Sequence, residues 1–376
     1  MRESRPNIFE FAKRELSQDA MICWLFSCLK SDKEIYQNIG LDFVRFLFDN
    51  KSLSMEDVNI HKGTPVSQYC RMDVYLVIRI KNEVHPIIFE DKTDTFLHGD
   101  QMKKYIEKVN SWKKKKFLKQ LAQEFNNTSI QWGKTYYFYY KTGYISSYEE
   151  REYLNQKQVV LNSNENTVIK EIVTDNMCQF LLNQLGKDNL INDYYCCLDQ
   201  KLKKQQFGKE NYFSDDYKKR EEALGQKSGQ ICFMYELFGE GVELNRNDYQ
   251  NWTQKNVFFD LNGTRYFFSL KWQTGQYMLL FRQWDNNKDI FQGKINNYNY
   301  ALNLCKELVK NYSQPIELLF ENSIDLDIKY YNEKTVFAIT LNNNSKQNII
   351  SFISYFLNKF AKDNNYKKVE DYDISK

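Results

Sequence analysis

The chain has 376 residues, of which 42% are hydrophobic and 16% aromatic, with only 4 prolines and 14 glycines. This composition excludes a disordered or fibrous chain, and the length indicates one large domain or two. The 52 basic and 49 acidic residues leave a net charge of +3, so the local distribution of charge carries more information than its sum.

The longest apolar stretches, 20–29 and 348–357, fall short of the ~18–20 residues that span a membrane, and polar side chains interrupt them. No small-residue cleavage site follows the N-terminal charges, so we expect no signal peptide. The eight cysteines lack zinc-site spacing, and several lie within apolar runs, as is typical of reduced thiols. We therefore expect a cytoplasmic protein without a membrane segment.

The first residues predict helices and the next predict strands. Apolar side chains at three- and four-residue spacing predict a helix over 7–30, with Ser17 as a candidate N-cap that would divide it. A second helix is predicted over 42–49. Alternating or continuous apolar runs predict strands, which cover 58–61, 68–80 and 84–92.

A basic helix is predicted over 99–125, followed by a strand over 135–140. Eight lysines lie between Gly99 and Gln120, against two acidic residues, Asp100 and Glu107. The lysines are Lys103, Lys104, Lys108, Lys113, Lys114, Lys115, Lys116 and Lys119. Such a patch fits nucleic-acid phosphates, although a solvated helix is the alternative interpretation.

The second half predicts helices and then a β meander. Helices are expected over 167–185 and 190–204, and the charged segment 205–220 indicates a domain boundary. Predicted strands cover 257–261, 264–270 and 276–282, with an Asn262-Gly263 hairpin turn, and a closing helix covers 345–362. Four aromatic residues here could stack on bases or belong to the core: Tyr266, Trp272, Tyr277 and Trp284.

The tripeptide Glu90-Asp91-Lys92 ends the apolar run of the strand at 84–92. Glu90 and Lys92 share one face of that strand. A two-residue turn through Lys81 and Asn82 would place Asp73 directly opposite Glu90. Two carboxylates with waters and a phosphate suit Mg²⁺, and Lys92 could orient or deprotonate an attacking water.

The alternative is that these residues form an exposed ion pair at a strand end, with Asp73 bound to Arg71 or Lys92. Asp-x-Lys occurs four times elsewhere, at positions 49, 199, 216 and 327, so spacing alone does not decide between the two interpretations. Gln101 and Tyr105 add to the pattern, because residues four apart share one face of the predicted basic helix.

These residues resemble the PD-(D/E)xK nuclease superfamily. The similarity lies in Asp73, in the run 88–92, and in Gln101-x-x-x-Tyr105, which resembles the signature of the RecB-like branch. The segment 7–20 is similar to the opening of a bacterial group in that superfamily. The resemblance covers about the first 145 residues, and it departs from the pattern in having Met72 where the family has a proline.

The resemblance implies an α/β fold: a restriction-endonuclease-like core with a mixed central sheet flanked by helices, here joined to a C-terminal α+β region. The expected parts are a core over 1–145, a helical extension over 146–210 and a C-terminal region of unknown role over 211–376. The implied catalytic residues are Asp73, Glu90, Lys92 and Glu15. Asp73 and Glu90 would bind Mg²⁺, with Mn²⁺ as a substitute, and Asp91 would face away from the metal.

The implied substrate-binding residues are Gln101, Tyr105, Lys103, Lys104 and Lys108. The expected activity is Mg²⁺-dependent phosphodiester hydrolysis, with DNA favoured over RNA and bacterial defence as the expected setting. A non-catalytic module that binds nucleic acid or protein on a nuclease-like scaffold is the alternative, since fold does not fix function. The C-terminal region is a candidate for homodimer or partner contacts.

Overall fold

The computed structural model describes residues 14–93, 97, 99–111, 114–127, 129–239, 245–247, 252–255, 265–273, 275–284, 295–320 and 333–363. The chain divides into two compact units. The first comprises residues 1–145 and 149–203, and the second comprises 146–148 and 204–376. Most of the predicted helical extension therefore belongs to the first unit.

The first unit combines helices with one mixed sheet. Its helices are α1 (Arg14–Ser27), α2 (Glu34–Phe48), α3 (Gln101–Asn110), α4 (Lys114–Glu124), α5 (Ser147–Ser163), α6 (Thr174–Leu182) and α7 (Asn189–Asn211), whose end belongs to the second unit. Its strands are β1 (Val58–Ile60), β2 (Val66–Tyr69), β3 (Met72–Ile80), β4 (Glu83–Lys92), β5 (Gln131–Trp132), β6 (Thr135–Lys141) and β7 (Thr167–Val173).

The sheet has the strand order β1-β3-β4-β6-β7, with β2 paired to β3 and β5 paired to β4. β3 and β4 form an antiparallel hairpin, whereas β4, β6 and β7 run parallel. Parallel neighbours need a crossover connection, and α3 with α4 provides it between β4 and β6. The architecture is therefore α/β with a mixed central sheet flanked by helices, as predicted.

Apolar side chains fill both faces of this sheet. One core packs α1, α2, α6 and α7 against the face that carries Val74, Leu76 and Phe89. The other packs α3, α4 and α5 against the face that carries Val77 and Ile88. Because β3 and β4 are covered on both faces, the charged residues at their ends lie beside a buried interior.

Four predicted elements were wrong in part. The strand predicted over 68–80 is two strands, since β2 ends at Tyr69 and pairs back onto β3, which begins at Met72. α1 runs through Ser17 without a break, so Ser17 is not an N-cap. The basic helix is two helices, since α3 ends at Asn110, where Ser111 bonds back to a backbone carbonyl instead of prolonging the helix. Residues 167–173 form β7 rather than a helix, in keeping with their β-branched side chains and their alternating burial.

The second unit is α+β around an antiparallel sheet in the order β12-β13-β11-β10-β9-β8. Its strands are β8 (Asn245–Asn247), β9 (Trp252–Lys255), β10 (Arg265–Gln273), β11 (Gln276–Trp284), β12 (Leu318–Phe320) and β13 (Glu333–Thr340). Its helices are α8 (Tyr217–Leu224), α9 (Lys227–Phe238), α10 (Ile295–Lys310) and α11 (Lys346–Asp363), and α11 confirms the predicted closing helix. Their apolar side chains form a separate core around Phe268, Phe281 and Phe337.

Some predictions fall outside the described residues. The strand at 257–261 and the Asn262-Gly263 turn lie there, as do the side chains of Glu15 and Trp284. Of the aromatic residues considered for base stacking, Tyr266 belongs to the core and Trp272 is exposed. None of the eight cysteines, all of which are described, forms a disulfide bond. In the described part of the chain, no helix combines the length and apolarity that crossing a membrane requires.

Candidate active site at the β3–β4 hairpin

The site lies at the open end of the β3–β4 hairpin. The turn passes through Lys81 and Asn82, and the register pairs Ile80 with Glu83 and Val74 with Phe89. This is the predicted register. Asp73 and Glu90 directly follow the Val74–Phe89 pair, each on its own strand, so they face each other at the open end of the hairpin. Two carboxylates from residues distant in sequence thus meet because the hairpin is in this register.

Glu90 and Lys92 lie together as strand alternation predicts. Lys92 Nζ is 2.5 Å from Glu90 Oε1 and 3.8 Å from Asp73 Oδ2. The Glu90 side chain is 0% exposed, and its Oε2 has no hydrogen-bond partner in the described part of the chain. This is a buried acid beside a buried lysine, not the exposed ion pair of the alternative interpretation.

Burial raises the pKa of Glu90 to about 8, because a carboxylate loses its hydration here. The ammonium of Lys92 opposes this rise, whereas the negative charge of Asp73 adds to it. The pKa of Glu90 is therefore raised overall, although Lys92 lies in short contact with its carboxyl group. Glu90 therefore holds a proton near neutral pH until a further cation compensates its charge.

Two residues of α3 hold the Glu90 carboxyl group by hydrogen bonds, Gln101 directly and Tyr105 through Gln101. They share one face of the helix, as predicted. Gln101 Nε2 donates to Glu90 Oε1 at 2.5 Å and lies 3.2 Å from the Tyr105 hydroxyl. The Tyr105 hydroxyl in turn donates to the backbone carbonyl of Arg71 at 2.5 Å. The two side chains thus connect Glu90 to the turn between β2 and β3.

A cluster of three carboxylates adjoins this group. One oxygen each of Asp19, Asp73 and Asp91 lies within 4.8 Å of the others. Asp19 comes from α1, and Asp91 is the middle residue of the tripeptide in β4. We call these three residues the acidic cluster. Asp73 belongs both to this cluster and to the group around Glu90, so it joins the two.

Gln68 connects two members of the acidic cluster. Its Nε2 donates to Asp19 Oδ2 at 2.9 Å and to Asp73 Oδ1 at 3.3 Å. The amide donors partly compensate the repulsion between two carboxylates that lie close together. Gln68 is therefore a positioning residue, which the sequence analysis missed.

α1 is held at the carboxyl ends of β4 and β6 by the residue that precedes Asp19. Gln18 Nε2 donates to Thr93 Oγ1 at 2.5 Å, and Thr142 Oγ1 donates to Gln18 Oε1 at 3.0 Å. These bonds are buried, which makes them strong determinants of position. They fix the part of α1 that presents Asp19.

The expected orientation of Asp91 was wrong. Its side chain is 3% exposed, and its carboxylate belongs to the acidic cluster instead of facing away. Asp19 was also missed, although it lies four residues after Glu15, a spacing at which two residues share one helical face. The position of the Glu15 side chain itself stays a prediction.

The lysines of α3 fall on two sides of the helix. Lys104 and Lys108 are exposed and lie three and seven residues after Gln101, on the side of α3 that carries Gln101 and Tyr105. Lys103 lies on another side, and its Nζ is 4.0 Å from Glu107 Oε1. Two of the three predicted phosphate-binding lysines therefore extend the stripe that begins at the site.

No protein-family model, curated protein or solved structure matches this chain. The chemistry must therefore be inferred from the donor set itself. Carboxylate oxygens converging at a strand end, with a lysine beside them, are hard ligands for a divalent cation next to a positive charge suited to a phosphate.

Proposed function

We propose that this protein is a metal-dependent nuclease that hydrolyses phosphodiester bonds. The observation that carries the proposal is the convergence of Asp73, Glu90 and Lys92 with the acidic cluster at one end of the β3–β4 hairpin. Structural ion pairs seldom bring four carboxylates and one lysine together in a largely buried place, because the like charges repel.

The fold supports the same proposal. A helix precedes an antiparallel hairpin, a helical crossover follows, and parallel strands complete the sheet. This arrangement is compatible with a restriction-endonuclease-like core, to which the resemblance of the sequence points. We therefore place the chain in the PD-(D/E)xK superfamily as part of the proposal.

The donor set fits a magnesium ion, and Mn²⁺ would bind the same ligands. One carboxylate oxygen each of Asp19, Asp73 and Asp91 lies within 4.8 Å of the others, and hard carboxylate oxygens are the ligands that Mg²⁺ prefers. Asp19, Asp73 and Asp91 would hold the ion, and Glu90, which adjoins this cluster beside Asp73, is the further ligand that the resemblance implies.

The protein side chains supply the remaining chemistry. A bound divalent cation would polarise the scissile phosphate and lower the pKa of a nearby water. The Lys92 ammonium orients the attacking water and stabilises the negative charge that develops on the phosphate oxygens. Hydrolysis forms a bond from the water oxygen to phosphorus, with the proton of the water released to solvent, and breaks the bond from phosphorus to the leaving ester oxygen, which takes up a proton from solvent. Gln101 and Tyr105 keep Glu90 in place during this exchange.

Substrate and setting follow from the resemblance and the charge pattern. The exposed Lys104 and Lys108 would contact backbone phosphates, which bind without reading sequence. DNA is the favoured polymer because the resemblance favours it, and defence against foreign DNA is the corresponding cellular role. The second unit would bind a partner protein or a second copy of the chain.

The proposal is tested by cleavage of single-stranded DNA, duplex DNA and RNA with Mg²⁺, Mn²⁺ or EDTA. We expect cleavage that requires metal and falls at least about 100-fold in Asp73→Asn and in Lys92→Met. Asp32→Asn, at an exposed aspartate elsewhere in the first unit, is the matched control and should cleave normally. Cleavage that persists in both site variants would refute the mechanism, and metal-independent binding without any cleavage would favour the non-catalytic module.

A further inference from the structure

The turn between β2 and β3 brings an unusual backbone next to the site. Gln68, Cys70 and Arg71 have φ angles of 55°, 58° and 72°, in the left-handed region that residues other than glycine seldom adopt. At Cys70 and Arg71 this is the backbone of a two-residue hairpin turn between Tyr69 and Met72, in which both residues take a positive φ. The turn is held beside the site by the Gln68 amide, which bonds Asp19 and Asp73, and by the Tyr105 hydroxyl, which bonds the Arg71 carbonyl.

This turn presents an exposed aromatic ring. Tyr69 pairs with Met72 across the turn and stacks on the buried Tyr75, with ring centroids 5.4 Å apart and 29° between the planes. Tyr69 is nevertheless 42% exposed. Its ring is thus held in a fixed orientation by the core, which lowers the entropy lost when a second flat group stacks on it.

Arg71 adds a positive charge at the same place. Its side chain is exposed, and it lies two residues before Asp73. On the other side of the Tyr105–Arg71 hydrogen bond, the stripe of Lys104 and Lys108 continues along α3. Tyr69 and Arg71 therefore lie at the turn that borders the site, and two exposed lysines lie on α3.

We propose that the substrate is single-stranded nucleic acid, with one base stacked on Tyr69 and the neighbouring phosphate held by Arg71. This inference rests on the proposed function and narrows its substrate. Within a duplex both faces of each internal base are covered by its stacked neighbours, so away from the duplex ends only an unpaired strand offers a base face to Tyr69. Base–aromatic stacking is tolerant of sequence, which fits a site bordered by phosphate-binding lysines.

The test compares cleavage of one oligonucleotide as a single strand and within a blunt duplex, in Mg²⁺, for the native chain and for Tyr69→Ala, Tyr69→Phe and Tyr69→Trp. We expect kcat/KM at least about tenfold higher for the single strand. Tyr69→Ala should raise KM for it by about 5- to 100-fold, with kcat changed much less, and Phe and Trp should restore KM because they keep an aromatic face. Tyr300→Ala, an exposed tyrosine of the second unit, is the control and should leave KM unchanged.

A series of oligonucleotides with one abasic site at successive positions separates stacking from a structural role of Tyr69. For the native chain, an abasic site at the position that stacks on Tyr69 should raise KM, because it removes the base from the stack. For Tyr69→Ala the same abasic site should leave KM unchanged, because the ring that would stack on the base is already absent. A KM that is equal for all Tyr69 variants, or a loss on duplex as large as on the single strand, would overturn the inference.

Failure of the inference differs from failure of the proposed function. If the inference alone fails, cleavage still requires metal and Asp73 but does not depend on Tyr69. If no polymer is cleaved, the same variants are compared by fluorescence anisotropy with the labelled single strand in Ca²⁺. Weaker binding of Tyr69→Ala than of Tyr69→Phe would support the stacking contact, and equal binding would overturn it.

Discussion

Glu90 lies where a carboxylate is least stable, inside the protein between two strands and beside another acid. Its raised pKa follows mainly from lost hydration, and the ammonium of Lys92 only partly offsets it. The residue therefore links the folding stability of the first unit to pH. A divalent cation bound beside Glu90 would lower its pKa, since the cation stabilises the deprotonated form. Stability would then no longer fall as the pH rises.

Glu90→Gln should make stability less dependent on pH. Between pH 4.5, the ordinary glutamate value, and about 8, the folded state keeps a proton that the unfolded chain has lost. The contribution of Glu90 to the free energy of unfolding is therefore highest below pH 4.5 and declines as the pH rises towards 8, by roughly 1–4 kcal/mol. Glutamine carries no such proton, so the variant should gain stability relative to the native chain at high pH.

Calorimetric unfolding of both proteins in EDTA at pH 5.5 and 8.5 measures this difference. Other titrating groups are common to the two proteins and cancel in the comparison. Glu165→Gln, at an exposed turn of the same unit, is the matched control. A constant difference in Tm between native and Glu90→Gln at both pH values would contradict the raised pKa.

Gln68 is predicted to act through the metal site. Its amide holds Asp19 and Asp73 together, so Gln68→Ala should weaken binding of Mn²⁺ by about tenfold, the lower range for residues that orient metal ligands. Titration calorimetry with Mn²⁺ measures the dissociation constant without any substrate. Gln123→Ala, at an exposed position on α4, serves as the control. Unchanged affinity in Gln68→Ala would show that the carboxylates hold their positions unaided.

The sequence predicted part of this site and missed part of it. Strand alternation placed Glu90 with Lys92, and the turn placed Asp73 opposite, because both follow from regular geometry. The same geometry did not predict the position of Asp91, because alternation places its side chain on the opposite face of the strand from Glu90 and Lys92. In the structure, Asp73 Oδ2 accepts the Asp91 backbone N–H at 3.0 Å, so the Asp73 carboxylate lies over the strand backbone and within reach of side chains on both faces.

Among the elements, those with a strong apolar pattern were predicted well. The strands of the hairpin and β6 carry continuous apolar runs that are buried on both faces, and α11 carries a helical stripe. β7 was missed because its seven residues are short and adjoin the apolar helix α6, which extends the hydrophobic run. The placement of α1 against the strand ends depends on Gln18 and its long-range partners, which no local pattern contains.

α3 supports a prediction at the scale of one element. Lys104→Ala and Lys108→Ala should each weaken binding of a labelled oligonucleotide at low salt, because each removes one phosphate contact on the stripe shared with Gln101. The slope of log K against log salt should decrease by about 0.7–0.9 per lysine. Lys103→Ala is the matched control, since Lys103 lies on another side and contacts Glu107. Equal effects of all three variants would indicate that the net charge of the protein, and not a phosphate-binding stripe on α3, governs the binding of the oligonucleotide.

Among the described residues, the buried apolar clusters of the first unit share no residue with those of the second. The core of the first unit includes Phe43, which packs against Phe26 and Phe180 at centroid distances of 5.0 and 5.2 Å. The core of the second unit includes Phe281, which packs against Phe337 and Phe356 at 5.2 and 5.1 Å. Each unit is large enough to fold around its own interior, so unfolding need not be one cooperative step.

We expect two calorimetric transitions, each sensitive to a variant in one unit only. Phe43→Ala and Phe281→Ala each remove a fully buried ring, which costs about 3–5 kcal/mol and should lower one transition by roughly 6–15 °C. Leu154→Ala, at an exposed position, should shift neither transition. Metal-dependent cleavage should disappear at the transition that Phe43→Ala lowers, because the acidic cluster lies in that unit. A single transition lowered equally by both variants would contradict this prediction and mean that the two units unfold in one cooperative step.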